Sequence, residues 1–308
     1  MNIQPINSNN YQQHNQVVFQ SRLKSLNVIN PISRYMDIYF NKMAKLSQNT
    51  QEEVSLGLVG KVKILRLNKG KSTEISAWDI NPNNYENYVL FLHGMSQNVS
   101  NYQRLYESII PHNTGILAVE YRGYGANKSV NISEDRLRSD VERAYEFLIK
   151  EKKVKPENIT VMGHSMGGAL AANFASKHND IRSLILICPI TNMADVGKKF
   201  IMNNNVGMGI PKRVKEFTDR MNPLKWLYNL RFNSLNKMDK VEVPTYIIQS
   251  QNDTVTLLGG ARKLAKKAKR KGILKDFALL PSGGHKVDMR KVSKISEVLS
   301  KIYGKAES

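Results

Sequence analysis

The stretch Ile159–Asn173, ITVMGHSMGGALAAN, decides the fold that this sequence predicts. An apolar run ends in GHSMG at residues 163–167, and an alanine-rich helical pattern follows at once. These five residues match G-x-S-x-G, in which a serine occupies a strained turn from strand to helix and glycines on both sides avoid a clash. Such a turn lifts the hydroxyl above the sheet edge and leaves amides free at the helix start. The pattern therefore predicts that Ser165 is a nucleophile.

A phosphate-binding turn is the alternative interpretation of this glycine-rich junction. Turns of that kind carry G-x-G-x-x-G, or a glycine-rich loop that ends in Lys followed by Ser or Thr. Neither pattern occurs at residues 159–173. The strand before the serine and the helix after it favour the nucleophile instead.

Strand and helix patterns along the rest of the chain predict an α/β fold. Alternating stretches at 60–68 and 73–81 are typical of antiparallel strands. Continuous apolar runs then alternate with helical patterns, as in a sheet that is covered on both faces. We therefore expect a mostly parallel central sheet with helices on both faces. The apolar runs begin at residues 88, 115, 158, 183, 245 and 276, and the helical patterns at 134, 166, 258 and 292.

An acid and a histidine follow Ser165 in the order that this kind of scaffold uses. Asp253 comes directly after the apolar run that contains TYIIQS, and His285 comes after FALLPSGG. Taken alone, Asp253 is typical of a turn and His285 of a surface histidine. Their shared order and placement predict a Ser165–Asp253–His285 triad. The other histidines lack such a placement, and we expect them to be structural or solvated: His14, His93, His112, His164 and His178.

An acyl-transfer site also needs two backbone N–H donors for the developing oxyanion. One should be the amide after the nucleophile, that of Met166. The other should come from the loop after an early strand, and the sequence FLHGMSQN points to the amide of Met95. The sequence has neither a metal-ligand cluster nor a dinucleotide motif, so we expect no metal and no cofactor.

Several longer motifs resemble the α/β-hydrolase superfamily, and within it the small-lid serine hydrolases related to the bud-emergence homologue and the α/β-hydrolase-domain proteins. The resemblance covers about residues 57 to 303. It implies hydrolysis of carboxylic esters or thioesters through an acyl-enzyme on Ser165, with a role in lipid metabolism. Some relatives act on peptides or amides, so an amidase or peptidase remains the alternative. The matching stretches are LHGMSQNVSNY, VEYRGYGANKS, VKPENITVMGHSMGG, NPLKWLYNLRFNSLNKMDKVEVPTYIIQSQND and LLPSGGH.

The chain departs from that family at three places. Glu120 stands where the family often has Asp, and Ser250-Gln251 stands where many relatives have His-Gly. Many relatives also carry an N-terminal membrane helix, whereas this chain has a polar tail and a basic amphipathic stretch. We expect a disordered tail at 1–31, a helical segment at 32–56, and a hydrolase domain at 57–308 with a helical lid insertion at 191–240.

Composition gives weaker predictions about compartment and partners. The 308 residues carry a net charge of +20 and a single cysteine, Cys188. One cysteine excludes an internal disulfide framework, and the sequence lacks a secretory signal or a membrane-spanning apolar run, so we expect a cytoplasmic protein. For the basic helix predicted at 258–272, a solvated surface is the first interpretation and contact with an anionic membrane is the second. Binding of nucleic acid comes third, because the basic run lacks the aromatic residues that would stack on bases. A basic membrane- or RNA-associating protein on a hydrolase scaffold is therefore the second hypothesis.

Overall fold

The computed structural model describes residues 55–56, 60–68, 74–125, 127, 132–192 and 232–304. The predicted tail at 1–31 lies outside these residues, as does the predicted helical segment at 32–56 except for its last two positions. Most of the predicted lid insertion, residues 193–231, lies outside them as well. Residues 55–56 belong to a small antiparallel pair, β1 (Ser55–Leu56) with β2 (Gly60–Lys61).

An eight-stranded sheet forms the centre of the described chain. Its strand order is β10-β9-β8-β7-β5-β6-β4-β3. Two neighbouring pairs in this sheet are antiparallel, β3 with β4 and β4 with β6. All other neighbours are parallel. The predicted α/β fold is therefore confirmed. The strands are β3 (Lys63–Leu67), β4 (Ile75–Ile80), β5 (Asn87–Leu92), β6 (Thr114–Glu120), β7 (Ile159–His164), β8 (Ser183–Ile187), β9 (Thr245–Ser250) and β10 (Leu274–Leu280).

Helices cover both faces because successive strand residues point to opposite sides of the sheet. Leu90 and Leu92 face one apolar core, whereas Val89 and Phe91 face the other. The first core is closed by α2, α3, α4 and α5, and the second by α1 and α6. The helices are α1 (Gln103–Ile109), α2 (Glu134–Lys150), α3 (Met166–Ala175), α4 (Ser234–Met238), α5 (Leu258–Arg270) and α6 (Met289–Tyr303).

Local sequence signals place most of these helices, and two details differ from the prediction. Ser133 caps α2 by accepting the Arg136 N–H, as its position before Glu134 predicts. The last helix begins at Met289, three residues before the predicted start, because the Asp288 side chain accepts the Lys291 N–H. Helix α1 was not predicted, since its seven residues give too short an apolar pattern to recognise. Among the residues that the structure describes, none of the helices combines the length and apolar character needed to cross a membrane.

Candidate active site

The turn between β7 and α3 has the steric properties that its sequence predicts. Ser165 has φ 56° and ψ −115°, a conformation that L-residues rarely adopt. A Cβ atom built on Gly163 would lie 2.2 Å from the carbonyl oxygen of Gly167, and one on Gly167 would lie 2.0 Å from the carbonyl oxygen of Leu92. No real side chain tolerates such distances, so both positions require glycine.

The structure brings Ser165 and His285 together at the carboxyl edge of the sheet. Ser165 ends the turn after β7, and His285 lies in the loop between β10 and α6. The Ser165 Oγ and the His285 Nε2 are 2.8 Å apart. Gly283 and Gly284, with φ of 115° and 59°, let this loop turn back over the sheet edge. The Gly284 N–H donates to the Asn252 side chain at 2.9 Å, which ties the histidine loop to the loop after β9.

Asp253 completes this line of side chains. Its Oδ2 lies 2.9 Å from the His285 Nδ1. Burial would raise the pKa of Asp253, but hydrogen bonds and charge from His285, together with hydrogen bonds from Thr256, more than offset it and hold the pKa well below 3.8. An ionised Asp253 can only accept, so the His285 Nδ1 carries the proton and its Nε2 is free to accept from the serine hydroxyl.

Thr256 is a site residue that the sequence did not identify. Its hydroxyl donates to Asp253 Oδ2 at 2.6 Å, and its N–H donates to Asp253 Oδ1 at 2.9 Å. The Val255 N–H adds a third bond to Oδ1 at 2.8 Å. A threonine three residues after the acid is the only signal that the sequence offers for this role. These bonds fix the orientation in which the carboxylate faces His285.

The two amides predicted to form the oxyanion hole belong to the residue after Ser165 and to the loop after β5. Met166 is the first residue of α3, so its N–H has no acceptor within the helix. Met95 follows Gly94 in the loop after β5, and a Cβ built on Gly94 would lie 3.3 Å from the Ser165 Cβ. This loop therefore passes directly beside the serine. Binding of an oxyanion by the two amides stays a prediction.

Neighbouring groups within the fold contact the remaining described histidines. His93 is buried 3.1 Å from the carboxylate of Glu120, the residue that differs from the usual aspartate. His112 is buried against Ser296, and His178 lies 2.8 Å from a carboxylate oxygen of Glu142. His164 is buried beside the site, and His14 lies outside the described residues.

Within the described ranges, one set of three side chains has metal-ligating atoms close together. The Cys188 Sγ, an Asp253 carboxylate oxygen and a His285 ring nitrogen lie within 4.8 Å of one another. Asp253 is already hydrogen-bonded to His285, and His285 to Ser165, so this set belongs to the site described above.

Cys188 should be inert in the folded protein. It is fully buried, and burial, followed by the negative charge of Asp253, raises the pKa of its thiol to about 12. Because the thiolate is the reactive form, iodoacetamide at pH 8 should leave the native chain unmodified while it alkylates the chain in urea. Intact mass reports this directly, since the chain has one cysteine. Alkylation of the native chain at the rate of the unfolded chain would contradict the prediction.

Comparison with known proteins agrees with this architecture. Residues 83–208 match the family described as serine aminopeptidase, S33. A protein of Acanthamoeba polyphaga mimivirus, named as an alpha/beta hydrolase, is 24% identical over 77% of this chain and 83% of its own. These matches confirm the predicted resemblance to the α/β-hydrolase superfamily.

Two further proteins to which the chain is similar have more specific names. A Mycoplasma pneumoniae protein named as an esterase/lipase is 24% identical over 53% of this chain, and the match spans 60% of that relative. The solved structure of a Pyrococcus furiosus esterase has a TM-score of 0.65 and 18% identity, covering 83% of this chain and 96% of the esterase. At that identity the structural likeness shows that this chain has the α/β-hydrolase fold, and no more.

Proposed function

We propose that this α/β-hydrolase cleaves carboxylic esters or thioesters through an acyl-enzyme on Ser165. The observation that carries the proposal is the line of two hydrogen bonds from Ser165 Oγ to His285 Nε2 at 2.8 Å and from His285 Nδ1 to Asp253 Oδ2 at 2.9 Å. This is the arrangement in which a histidine acts as general base towards a serine, with a carboxylate that fixes its tautomer.

The proposed reaction follows from these contacts. His285 Nε2 takes the hydroxyl proton as Ser165 Oγ attacks the carbonyl carbon, and the amides of Met95 and Met166 stabilise the oxyanion. His285 then gives its proton to the leaving oxygen or sulfur, and the carbon–heteroatom bond breaks to leave the acyl-Ser165. A water molecule, deprotonated by His285, attacks the acyl carbon and releases the acid, and the proton returns to the serine. Asp253 stays ionised throughout and stabilises the imidazolium.

Esters and thioesters are proposed ahead of amides because of the names of the relatives. The Mycoplasma pneumoniae protein and the Pyrococcus furiosus protein are both named as esterases. The description of the matching family, a serine aminopeptidase, keeps an amidase or peptidase as the second candidate. The same three side chains serve either reaction, so only assays with both classes of substrate distinguish the esterase from the amidase.

A panel of substrates separates these candidates. We expect hydrolysis of p-nitrophenyl esters of increasing chain length and of acyl thioesters, with the matching p-nitroanilides cleaved far more slowly. Ser165→Ala is the blank for spontaneous hydrolysis. Faster cleavage of the anilides or of N-terminal peptide bonds would favour the amidase, and activity on none of these compounds would count against the proposal.

Contact with an anionic membrane surface is a separate proposal that depends on α5. The helix has no acidic residue, and its buried side is formed by small and apolar residues that include Leu264 and Ala268. Lys267 pairs with Asp239, whereas six other basic side chains in or just after the helix are exposed. Those six are Arg262, Lys263, Lys266, Lys269, Arg270 and Lys271.

Vesicle sedimentation tests this proposal. We expect binding to phosphatidylserine-containing vesicles at low salt, weaker binding at high salt, and unchanged binding by Ser165→Ala. Reversal of three helix charges, at Lys263, Lys266 and Arg270, should release the protein. Reversal of three exposed charges elsewhere, at Lys63, Lys153 and Lys155, is the matched control for net charge. Equal loss in both variants, or binding that is indifferent to salt, would contradict a specific contact by α5.

A further inference from the structure

A line of buried hydrogen bonds beside the triad has no assigned role. It begins at the backbone of Gly94, passes through the side chains of Tyr102 and His164, and ends at the backbone of His285. The Gly94 N–H donates to the Tyr102 hydroxyl at 3.0 Å. That hydroxyl lies 2.8 Å from the His164 Nδ1, and the His164 Nε2 lies 2.8 Å from the carbonyl oxygen of His285.

The proton positions along this line follow from the chemistry of its partners. A carbonyl oxygen can only accept, so the His164 Nε2 carries the hydrogen and donates to His285. Burial, followed by the charge of His285, lowers the pKa of His164 to about 3, so its imidazole stays neutral in any ordinary buffer. Its Nδ1 is therefore an acceptor, and the Tyr102 hydroxyl donates a hydrogen bond to it.

The surroundings hold Tyr102 and His164 in place. Both side chains are almost completely buried, and the Tyr102 ring packs edge-on against Phe91 with the ring centres 4.7 Å apart. The Gln97 Oε1 is placed 2.6 Å from the hydroxyl. Because the single hydroxyl proton goes to His164, the Gln97 amide fits best with its NH₂ group turned towards the oxygen. Each group then has its donors and acceptors matched, as a buried polar line requires.

The line joins the three parts of the proposed site that must stay in register. Gly94 directly precedes Met95, whose amide is proposed to bind the oxyanion. His164 directly precedes Ser165, and its ring centre lies 5.0 Å from that of His285. A Cβ built on Gly94 would lie 3.2 Å from the His164 Nδ1, so these groups are packed closely with little room to move.

We propose that Tyr102 and His164 are positioning residues: Tyr102 holds the Gly94–Met95 loop, and His164 holds the backbone of His285, each at a fixed distance from Ser165. This inference rests on the proposed serine hydrolase function. It assigns neither residue a contact with the substrate. Tyr102 acts through the Met95 amide on the oxyanion, and His164 acts through the His285 loop on the proton transfer.

Tyr102→Phe tests the first half of the proposal. Loss of a whole oxyanion donor costs about 10²–10³ in kcat, so a misplaced donor should cost about 10- to 100-fold, with KM changed less than about twofold. Binding of a trifluoromethyl ketone, which forms a tetrahedral adduct with the serine, should weaken by about the same factor as kcat. The control is Tyr106→Phe, which removes an equally buried hydroxyl that donates to the Val99 carbonyl at 2.8 Å.

The comparison of the two phenylalanine variants decides the outcome. A kcat loss confined to Tyr102→Phe, with similar thermal unfolding of both variants, supports the positioning role. Equal kcat losses in both variants, or a Tyr102→Phe enzyme within about twofold of wild type, would overturn it.

A second pair of variants tests His164. Gln and Met have similar size, but only Gln keeps an N–H donor near the position of the His164 Nε2. One hydrogen bond corresponds to about a tenfold effect, so His164→Met should lose about tenfold more kcat than His164→Gln. Equal kcat in the two variants would overturn the role of the donor. An inactive wild type, or an active Ser165→Ala, would overturn the proposed function itself, whereas an active wild type with unchanged variants overturns this inference alone.

Discussion

Ser165→Ala is expected to lower kcat by about 10⁶ while substrate still binds. The activity that remains would come from substrate binding and the oxyanion hole alone. The hydroxyl is the proposed nucleophile, and its only basic neighbour in the described line of side chains is the His285 Nε2 at 2.8 Å. A steady-state assay on the best p-nitrophenyl ester, with the protein checked for folding by circular dichroism, measures the loss.

The stronger form of this prediction is that Ser165 and His285 act as one unit. His285→Ala should lose about as much as Ser165→Ala, and the double variant should lose no more than either single one. Losses that multiply in the double variant would mean that the two side chains act independently. A folded Ser165→Ala protein that keeps more than about a hundredth of wild-type kcat would contradict the serine mechanism.

Gly167→Ala, at the start of α3, is expected to destabilise the fold strongly. The new Cβ would lie 2.0 Å from the Leu92 carbonyl oxygen and 2.7 Å from that of His93, so the backbone of β5 or α3 must move. Overpacking against neighbouring side chains lowers the free energy of unfolding by about 1–3 kcal/mol. Because the new methyl group would meet backbone atoms here, we expect a loss of about 3 kcal/mol or more. For a chain of this size that corresponds to a fall in Tm of roughly 6–12 °C.

A second glycine provides the control for Gly167. Gly259 lies in α5, and a Cβ built there meets nothing within 4 Å. Gly259→Ala should therefore leave Tm unchanged or raise it, because alanine favours the helix by up to about 1 kcal/mol. Differential scanning calorimetry of both variants makes the comparison. A Gly167→Ala protein that melts within about 2 °C of wild type would show that the turn between β7 and α3 is less crowded than its geometry indicates.

The architecture could be predicted because its signals are local. The alternating stretches before residue 81 give the antiparallel β3 and β4, and the continuous apolar runs give the parallel strands between helices. The turn between β7 and α3 could be predicted for the same reason, since the two glycines that it requires, Gly163 and Gly167, lie within five consecutive residues. Asp253 and His285 each follow a strand, and the parallel sheet brings the ends of those strands to one edge.

The parts that could not be predicted depend on contacts between distant residues. Tyr102 and His164 are 62 positions apart, and the bond from His164 to the His285 carbonyl spans 121 positions. Nothing in either local sequence distinguishes these side chains from ordinary core residues. Thr256 is hidden for another reason, because a threonine after an aspartate in a loop is common and its bond to Asp253 depends on how the loop turns.

The most direct measurement is the site of reaction with a fluorophosphonate, which phosphonylates a serine only when a neighbouring base activates it. The native chain should gain one adduct, peptide mass spectrometry should place it on Ser165, and His285→Ala should not be labelled. No adduct on the native chain, an adduct on another residue, or labelling of His285→Ala at the wild-type rate would contradict the account.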